Sequence, residues 1–388
     1  MKILILNRDY PRFLNDLYAS RPQLCTASYA EQLAVRNATL FGVADFYSRG
    51  FAACGNSAQE IHVNNRWLQS AWSRESGMHA PAPPPPQIAA ARSALAPLVG
   101  LARRHLLSMA RQFVPRQLQA QEERILAAQV ASMKPDVILN QEMSYVRSAC
   151  LERIVPPGTK IVGQIASALP VGEDYTRYDL IISSLPNLVR RFRDWGLRAQ
   201  LSPLAFDARV LECLGTAAAR DIPVSFVGSL SVDHRARLQL IETLAARVPL
   251  KLWGSGIEEL PRSSPVHRCF QGEAWGIEMY RILARSRVTI NHHIDLAEGY
   301  SNNMRLYEAT GCGALMIVDH GRNLADLFEP GREVIAYSSA EECARAVQWM
   351  LSDEPRRAEI AAAGQRRTLS EHTYGRRARE LSEMFAEL

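Results

Sequence analysis

The sequence predicts an α/β protein with two domains, each built around a parallel sheet. The chain has 388 residues, more than one ordinary hydrophobic core serves, and 47% of them are hydrophobic. Short apolar runs alternate with helical segments along both halves of the chain. The composition turns to Ala, Arg and Gly around residues 207–221, and a second α/β series begins at Ile222. We therefore place the domain boundary between residues 208 and 209.

The first domain is expected to begin with an apolar strand at Lys2–Leu6 and to continue with the runs AQEIHV, PDVILN, KIVGQIA, YDLIISS and AQLSPLAF. Apolar runs of this length, separated by helical segments, are typical of buried strands in a parallel sheet. The segment 77–87 interrupts the series with four consecutive prolines, which fix the backbone and lack N–H donors. It predicts an exposed spacer within the domain.

Two polar stretches follow strands of the first domain. The stretch NRDYPRFLNDLYASRP contains Asp9 and Asp16, and Asn140–Gln141–Glu142 follows a later strand. Ligands of open parallel sheets bind at the carboxyl ends of the strands, so these stretches should face a cleft. Asp9, Asp16 and Glu142 are therefore candidate general bases. The alternatives are a solvated turn for the aspartates and a charge at a helix start for Glu142.

A basic segment lies between the spacer and the later strands. Residues 99–117 place Arg103, Arg104, Arg111 and Arg116 among leucines. Basic amphipathic helices bind anionic membrane surfaces, so peripheral contact with a membrane is one expectation. A helix that covers the sheet is the other.

Several classes of protein are disfavoured by composition. The seven cysteines show no CxxC pair or zinc spacing, which is typical of reduced thiols in a cytoplasmic protein. The apolar run at the start is too short for a signal peptide, and no later run reaches membrane-spanning length. The net charge of +5 is mild, and the sequence shows no nucleic-acid-binding signature, so no nucleic-acid partner is expected.

The second domain carries two candidate phosphate contacts. Gly228–Ser229 ends its first strand, where small residues let a phosphate or nucleotide approach the backbone. Residues 290–319 predict a strand, a loop, a short helix and a second strand. Asn302 and Asn303 precede that helix, whose free N–H groups and positive dipole end favour an anion such as a diphosphate.

Two charged residues on the same helix extend this seat. Arg305 and Glu308 are three positions apart and share a face. Glu308 lies roughly 7 to 8 Å along the axis from Asn303, a reach that suits the ribose hydroxyls of a nucleotide whose phosphates sit at the helix start. The alternative is an ordinary crossover helix with an Asn cap and an internal Arg–Glu pair.

Three longer stretches carry a family resemblance. NNMRLYEATGCGALMIVD, LFEPGREVIAYSS and EHTYGRRARELSEMF resemble the CgeB-like (spore maturation protein type) glycosyltransferases, and LFGVADFYSRG, VGQIAS and SPLAF are similar to bacterial members. The resemblance implies the GT-B fold, two Rossmann-like domains facing across a cleft. It implies an acceptor-binding domain at 1–208, a nucleotide-sugar-binding domain at 209–370, and a C-terminal helix at 371–388 that crosses back to the first domain.

The resemblance also implies roles for individual residues. Many GT-B donor sites carry two glutamates eight positions apart; Glu308 matches the second, whereas Tyr300 occupies the first position and Glu298 lies two residues away. GT-B enzymes generally need no divalent metal, and Arg305 would stabilise the leaving diphosphate. The neighbouring histidines His292 and His293 should point to opposite faces, so one of them, assigned to His292, would contact phosphate or sugar rather than a metal.

The predicted function is therefore transfer of a sugar from a nucleoside-diphosphate-sugar donor, a substrate and not a cofactor, to a hydroxyl-bearing acceptor. The acceptor, a glycan, lipid-linked molecule, peptide or small molecule, is left open. An inverting route needs a protein base and a retaining route needs none. Two alternatives remain: a nucleotide-sugar epimerase on the same fold, and a non-catalytic module that binds a nucleotide or docks on a membrane. The expected location is the cytoplasm, or the inner face of the membrane.

Overall fold

The structure, a computed structural model, describes residues 1–79, 83, 85–86, 118–215, 219–230, 235–293 and 297–388. The basic segment 99–117, for which membrane contact is predicted, lies outside the described residues. None of the helices in the described ranges is both long enough and apolar enough to cross a membrane.

The first part of the chain forms a six-stranded parallel sheet in the order β2-β1-β3-β4-β5-β6. The apolar residues of its central strands β1 and β3 are buried, as the unbroken hydrophobic runs predict. The strands are β1 Lys2–Asn7, β2 Ser57–His62, β3 Val137–Asn140, β4 Lys160–Gln164, β5 Leu180–Ser183 and β6 Ala199–Leu201. The described helices around it are Pro11–Ala19, Tyr29–Ala38, Phe46–Ala53, Arg66–Glu75, Ala120–Met133, Ser148–Ile154 and Pro186–Asp194, with short 3-10 turns at Pro22–Thr26 and Tyr175–Arg177.

The second part forms a five-stranded parallel sheet in the order β11-β10-β9-β7-β8. Two parallel sheets in one α/β chain confirm the predicted fold class. The strands are β7 Ile222–Val227, β8 Leu250–Trp253, β9 Ser286–Asn291, β10 Leu315–Asp319 and β11 Ile335–Tyr337. The described helices are Arg209–Leu214, Arg235–Arg247, Val266–Cys269, Ile277–Arg285, Met304–Gly311, Leu324–Leu327, Ala340–Ser352, Glu354–Glu371 and Tyr374–Ala386, with a 3-10 turn at Ile257–Glu259.

The segment AQLSPLAF is wrong as a single strand. β6 ends at Leu201, and Pro203 follows, which has no N–H to donate to a sheet. The chain then pairs elsewhere: the backbone N–H of Phe206 donates to the carbonyl oxygen of His372 at 2.8 Å, and Tyr374 N–H donates to Phe206 at 3.2 Å. The predicted boundary between residues 208 and 209 falls in this linking region, after β6 and before β7.

The last helix, Tyr374–Ala386, packs against helix Phe46–Ala53 of the first part of the chain. The two helices approach so closely at Gly50 that an added Cβ would lie 2.7 Å from the Cβ of Ala378. The phenyl rings of Phe51 and Phe385 are 5.8 Å apart. The chain therefore returns to the first sheet after completing the second. The three predicted domain ranges stay a prediction.

A buried carboxyl group in β2 makes the stability of the fold depend on pH. Glu60 is 5% exposed, and burial raises its pKa to about 8 although the Ser48 backbone N–H donates to it. Its native pKa exceeds the unfolded value, so the native state holds the proton more tightly and loses stability as pH rises. We expect Glu60→Gln to gain roughly 1.4 kcal/mol in unfolding free energy, relative to wild type, for each pH unit between about 4.5 and 8.

Urea unfolding at a series of pH values measures this difference. The matched control is Glu383→Gln, a glutamate on the exposed side of the last helix, for which we expect no comparable trend. A Glu60→Gln difference that stays constant from pH 5 to pH 8 would show that Glu60 is ionised in the native state throughout.

Candidate functional site

Each sheet has one point where the strand order reverses. In the first sheet β1 lies between β2 and β3, and in the second β7 lies between β8 and β9. At such a point the loops leave neighbouring strands in opposite directions and open a crevice at their carboxyl ends, where open α/β sheets bind ligands. The residues after β1 and β3 include Asp9 and Glu142, and those after β7 and β9 include Ser229 and His292. The sequence-predicted residues of both domains therefore lie at the two crevices.

Contacts between the domains show that these crevices share one cleft. The ring of Tyr10, after β1, lies 6.2 Å from that of Trp275 in the second domain. Arg12 donates to Glu258 at 2.5 Å and to Glu273 at 2.6 Å. These ion pairs are partly exposed, so each contributes little stability, but they fix the two loops against each other.

A second set of contacts joins the domains through the loop that precedes helix Met304–Gly311. Arg190 of the first domain donates to the phenol oxygen of Tyr300 at 2.7 Å, and Arg191 donates to Glu298 at 3.1 Å. Tyr300, at the predicted first-glutamate position, and Glu298, two residues before it, are thus both bound to the first domain. Donor contact by Tyr300 stays a prediction.

The helix that begins after Asn303 has the start that the sequence predicts. The side-chain oxygen of Asn303 accepts the N–H of Leu306 at 3.2 Å, and its amide nitrogen donates to Asn291 at the end of β9 at 2.7 Å. Asn303 therefore caps the helix and ties it to the sheet. Asn302 differs, because its amide oxygen is enclosed and has no hydrogen-bond partner among the described residues. Of the two asparagines, Asn302 has a side-chain oxygen left to accept a hydrogen bond.

Arg305 and Glu308 form the ion pair expected from their spacing, with Nη1 of Arg305 2.7 Å from Oε2 of Glu308. Glu308 is 5% exposed and also accepts from the Tyr280 hydroxyl at 3.3 Å. Nε of Arg305 donates to the carbonyl oxygen of Val227, the last residue of β7, at 3.1 Å. The pair therefore joins the helix to the end of β7, through bonds of Nε and Nη1 of Arg305.

The loop after β7 is held by close backbone contacts. Gly254 has φ +154°, and an added Cβ there would lie 1.8 Å from the carbonyl oxygen of Gly228, so only glycine fits. The small residues that predicted an approach to phosphate thus also serve to pack two loops together. Ser229 accepts a bond of 3.3 Å from Arg237, whose other Nη donates to the His292 carbonyl oxygen at 2.9 Å.

Arg237 is a crevice residue that the sequence analysis missed. Its guanidinium spans the loops after β7 and β9, which border the reversal point of the second sheet. The residue contacted after β7 lies 8 residues from Arg237 in sequence, and the one after β9 lies 55 residues away. Only the fold brings both loops to one side chain. An arginine early in the helix after β7 is the one local signal that could have pointed to it.

The two histidines after β9 form different hydrogen bonds, although both lie near Asp319, with Nδ1 of His292 3.9 Å from its carboxylate. Nδ1 of His292 lies 3.0 Å from the Tyr337 hydroxyl, and His292 lines a cavity of 580 Å³ together with His320. His293 is buried, and its Nδ1 lies 2.7 Å from Asp319. Burial would raise the pKa of Asp319, but the hydrogen bond and charge of His293 outweigh it and lower the pKa. Donor contact by His292 stays a prediction, and Asp295 lies outside the described residues.

Asp9 is committed to a buried charge cluster. It is 2% exposed, forms a close ion pair with Arg36, and lies 3.2 Å from Nδ1 of His62. Burial would raise its pKa, but the charges of His62 and Arg36 prevail and hold the pKa well below its ordinary value. A strongly acidic carboxylate with occupied oxygens is a poor proton acceptor. The geometry therefore disfavours Asp9 as a general base. Asp16, the other candidate aspartate, is exposed on helix Pro11–Ala19.

Glu142 has the properties that Asp9 lacks. Burial raises its pKa to about 7; the nearby Arg8 lowers it and Asp9 raises it. Its backbone N–H donates to the side-chain oxygen of Asn140 at 3.1 Å, and Asn140 in turn donates to the carbonyl oxygen of Val146 at 2.8 Å. The loop that carries Glu142 is thus fixed, and its carboxyl group titrates near neutral pH, where a general base is most effective.

The candidate site as a whole is a cleft between two Rossmann-like domains, with the Glu142 carboxyl group on one side and the start of helix Met304–Gly311, the predicted anion seat, on the other. Among the described residues, no group of three or more His, Cys, Asp or Glu side chains is arranged to hold a metal ion. In open α/β sheets, ligands bind at this edge of the sheet.

Comparison with known proteins defines the fold further. Residues 235–383 match a family model described as glycosyl transferase-like. No curated protein matches the chain by sequence. The chain is similar to the solved structure of HepE from Anabaena in complex with UDP, with 14% identity, 100% of both chains covered and a TM-score of 0.58. It is also similar to AviGT4, a glycosyltransferase involved in avilamycin A biosynthesis, with 15% identity, 100% and 98% covered and a TM-score of 0.58.

A third similar structure is sucrose-phosphate synthase from Thermosynechococcus elongatus, with 15% identity, 100% of this chain and 98% of that chain covered, and a TM-score of 0.54. Identities this low establish the fold alone. The predicted GT-B architecture is thereby confirmed.

Proposed function

We propose that the protein is a glycosyltransferase that moves a sugar from a nucleoside-diphosphate-sugar donor to a hydroxyl group of an acceptor. The observation that carries this proposal is one cleft shared by the two domains. Glu142, whose pKa is about 7, lies on the first domain, and the helix with Arg305 and Glu308 lies on the second. The glycosyl transferase-like match over 235–383 and the UDP complex of HepE support a nucleotide-sugar donor. We further propose a CgeB-like enzyme that works in the cytoplasm without a bound metal.

The second domain would hold the donor. The remaining acceptor capacity of Glu308 suits the ribose hydroxyls, while the N–H groups at the start of helix Met304–Gly311 and of the Asn302 side chain suit the diphosphate. Arg305 and Arg237 place two guanidinium groups at the end of β7 and beside the loop after it. Their charge would stabilise the diphosphate as the glycosidic bond breaks.

The first domain would hold the acceptor beside Glu142. In a single displacement, the acceptor oxygen attacks the anomeric carbon, the Glu142 carboxylate takes the hydroxyl proton, and the bond to the diphosphate oxygen breaks with its electron pair leaving on the nucleoside diphosphate. Such a displacement inverts the anomeric centre. A base with a pKa near neutrality supports this route over a retaining one.

A thermal-shift screen of nucleoside diphosphates and their sugars tests the donor. We expect at least one nucleotide-sugar to raise the melting temperature, since a ligand at a hundred times its Kd stabilises the native state by about 2.7 kcal/mol. The binding donor is then incubated with a panel of hydroxyl acceptors, and released nucleoside diphosphate is measured.

Three results would contradict the proposal. If no nucleotide or nucleotide-sugar raised the melting temperature, the protein would not bind the proposed donor. Isomerisation of the donor sugar without an acceptor would indicate an epimerase. Saturable binding with no release of nucleoside diphosphate across the panel would indicate a non-catalytic nucleotide-binding module.

A further inference from the structure

Tyr10 presents an aromatic ring in the cleft. Its side chain follows β1, at the reversal point of the first sheet, and the residue is 64% exposed. By contrast, Tyr18 and Tyr47 are almost fully buried in the hydrophobic core. Its position at the carboxyl end of β1 leaves the exposed part of the Tyr10 ring open to a ligand in the cleft.

Neighbouring aromatic residues hold the Tyr10 ring in place from both domains. Its centroid lies 5.6 Å from that of Phe41 and 6.2 Å from that of Trp275, and these two rings meet edge to face at 5.3 Å. Phe13 stacks beneath Phe41 at 4.2 Å. The Tyr10 ring is therefore supported by a packed aromatic cluster, and so it is preorganised.

The Tyr10 ring lies where the two domains meet, because its neighbours Phe41 and Trp275 come from different domains. On the proposed function, the second domain holds the nucleotide and the first domain holds the acceptor. The group that lies where the domains meet is then the sugar being transferred.

We propose that Tyr10 is the platform on which the donor's sugar ring stacks, and that Phe41 and Trp275 position it. The apolar face of a pyranose, made of C–H groups, packs well on an aromatic ring, and the phenol hydroxyl can hydrogen-bond a ring substituent. This inference rests on the proposed function and deepens it by naming a positioning residue for the sugar. It assigns Tyr10 no contact with the nucleotide.

The test compares the affinity for UDP with that for UDP-glucose, or for the corresponding pair that the screen identifies, by isothermal titration. For Tyr10→Ala we expect unchanged UDP affinity and a loss of about two- to tenfold in UDP-glucose affinity. Tyr10→Phe keeps the ring and should retain most of the sugar's contribution. The matched control is Trp349→Ala, which removes an aromatic side chain 53% exposed on helix Ala340–Ser352.

The outcomes separate this inference from the proposed function. Suppose that wild type binds UDP and UDP-glucose and that Tyr10→Ala leaves the ratio of the two affinities unchanged. This result overturns the sugar platform but does not contradict the proposed glycosyltransferase function. Equal losses of UDP and UDP-glucose affinity in Tyr10→Ala also overturn it, because the residue would then act on the nucleotide or on folding. Failure of wild type to bind any nucleotide or nucleotide-sugar contradicts both.

Discussion

Glu142→Gln is expected to lower kcat by about 10² to 10⁴-fold while leaving donor affinity unchanged, because the amide cannot accept the acceptor's proton. The carboxyl group is nearly isosteric with the amide, and the loop is fixed through Asn140 and Val146 rather than through the Glu142 side chain. The loss should therefore lie in the chemical step. Steady-state kinetics with the identified donor and acceptor, together with titration of the donor alone, measures both quantities.

The pH dependence of wild type provides a second signature of the same residue. A base must be deprotonated to act, and burial raises the pKa of Glu142 to about 7. kcat/KM should consequently rise with pH through about 7 and level off above it. The rise should be absent from the residual activity of Glu142→Gln. Full turnover in that variant, or an identical pH profile, would remove Glu142 from the role.

Asp9→Asn is the matched comparison, since Asp9 is the other carboxylate proposed at this crevice. Its loss leaves Arg36 buried without its close ionic partner. We therefore expect a stability loss of roughly 3 kcal/mol rather than a specific loss of kcat. A folded Asp9→Asn protein with a lost chemical step and intact donor affinity would reverse the assignment of the two residues.

Glu308→Ala is expected to weaken nucleotide binding by about 10- to 100-fold, the effect of losing hydrogen bonds to a charged group. The change also removes the ionic partner of Arg305, a side chain 15% exposed, so part of the loss would come from a displaced guanidinium. Glu308→Gln separates the two effects, because it keeps an acceptor for Arg305 and Tyr280 but lacks the negative charge. Titration with UDP and its sugar measures the affinities.

An exposed pair with the same spacing provides the control. Glu329 and Arg332 are three residues apart in the second domain, bond at 3.2 Å, and are 59% and 74% exposed. Glu329→Ala should therefore leave nucleotide affinity unchanged. If Glu308→Ala and Arg305→Ala both retain the wild-type ligand shift, the proposed nucleotide seat is wrong.

Local patterns in the sequence determined a large part of this architecture. The apolar runs that became β1, β3 and β10 are strands because continuous hydrophobic segments are stable only when both faces are covered. The helix after Asn303 begins where a side-chain oxygen can cap it, and Arg305 and Glu308 meet because residues three apart share a helix face. Each of these depends on neighbours in the chain, so the sequence alone specifies it.

The tertiary structure decided what depends on residues far apart in sequence. Asp9 and Glu142 are both carboxylates that follow strands, so the sequence does not distinguish them. In the fold, Arg36 and His62 keep Asp9 ionised, whereas burial raises the pKa of Glu142 to about 7. Arg237 binds the His292 carbonyl oxygen only because the fold brings the loop after β9 close to it. Tyr10 contacts Trp275 only because the two domains lie together. A side chain's pKa and partners follow from the groups packed around it. The sequence therefore identifies candidate residues, whereas the fold selects among them and adds others that lie far away in the chain.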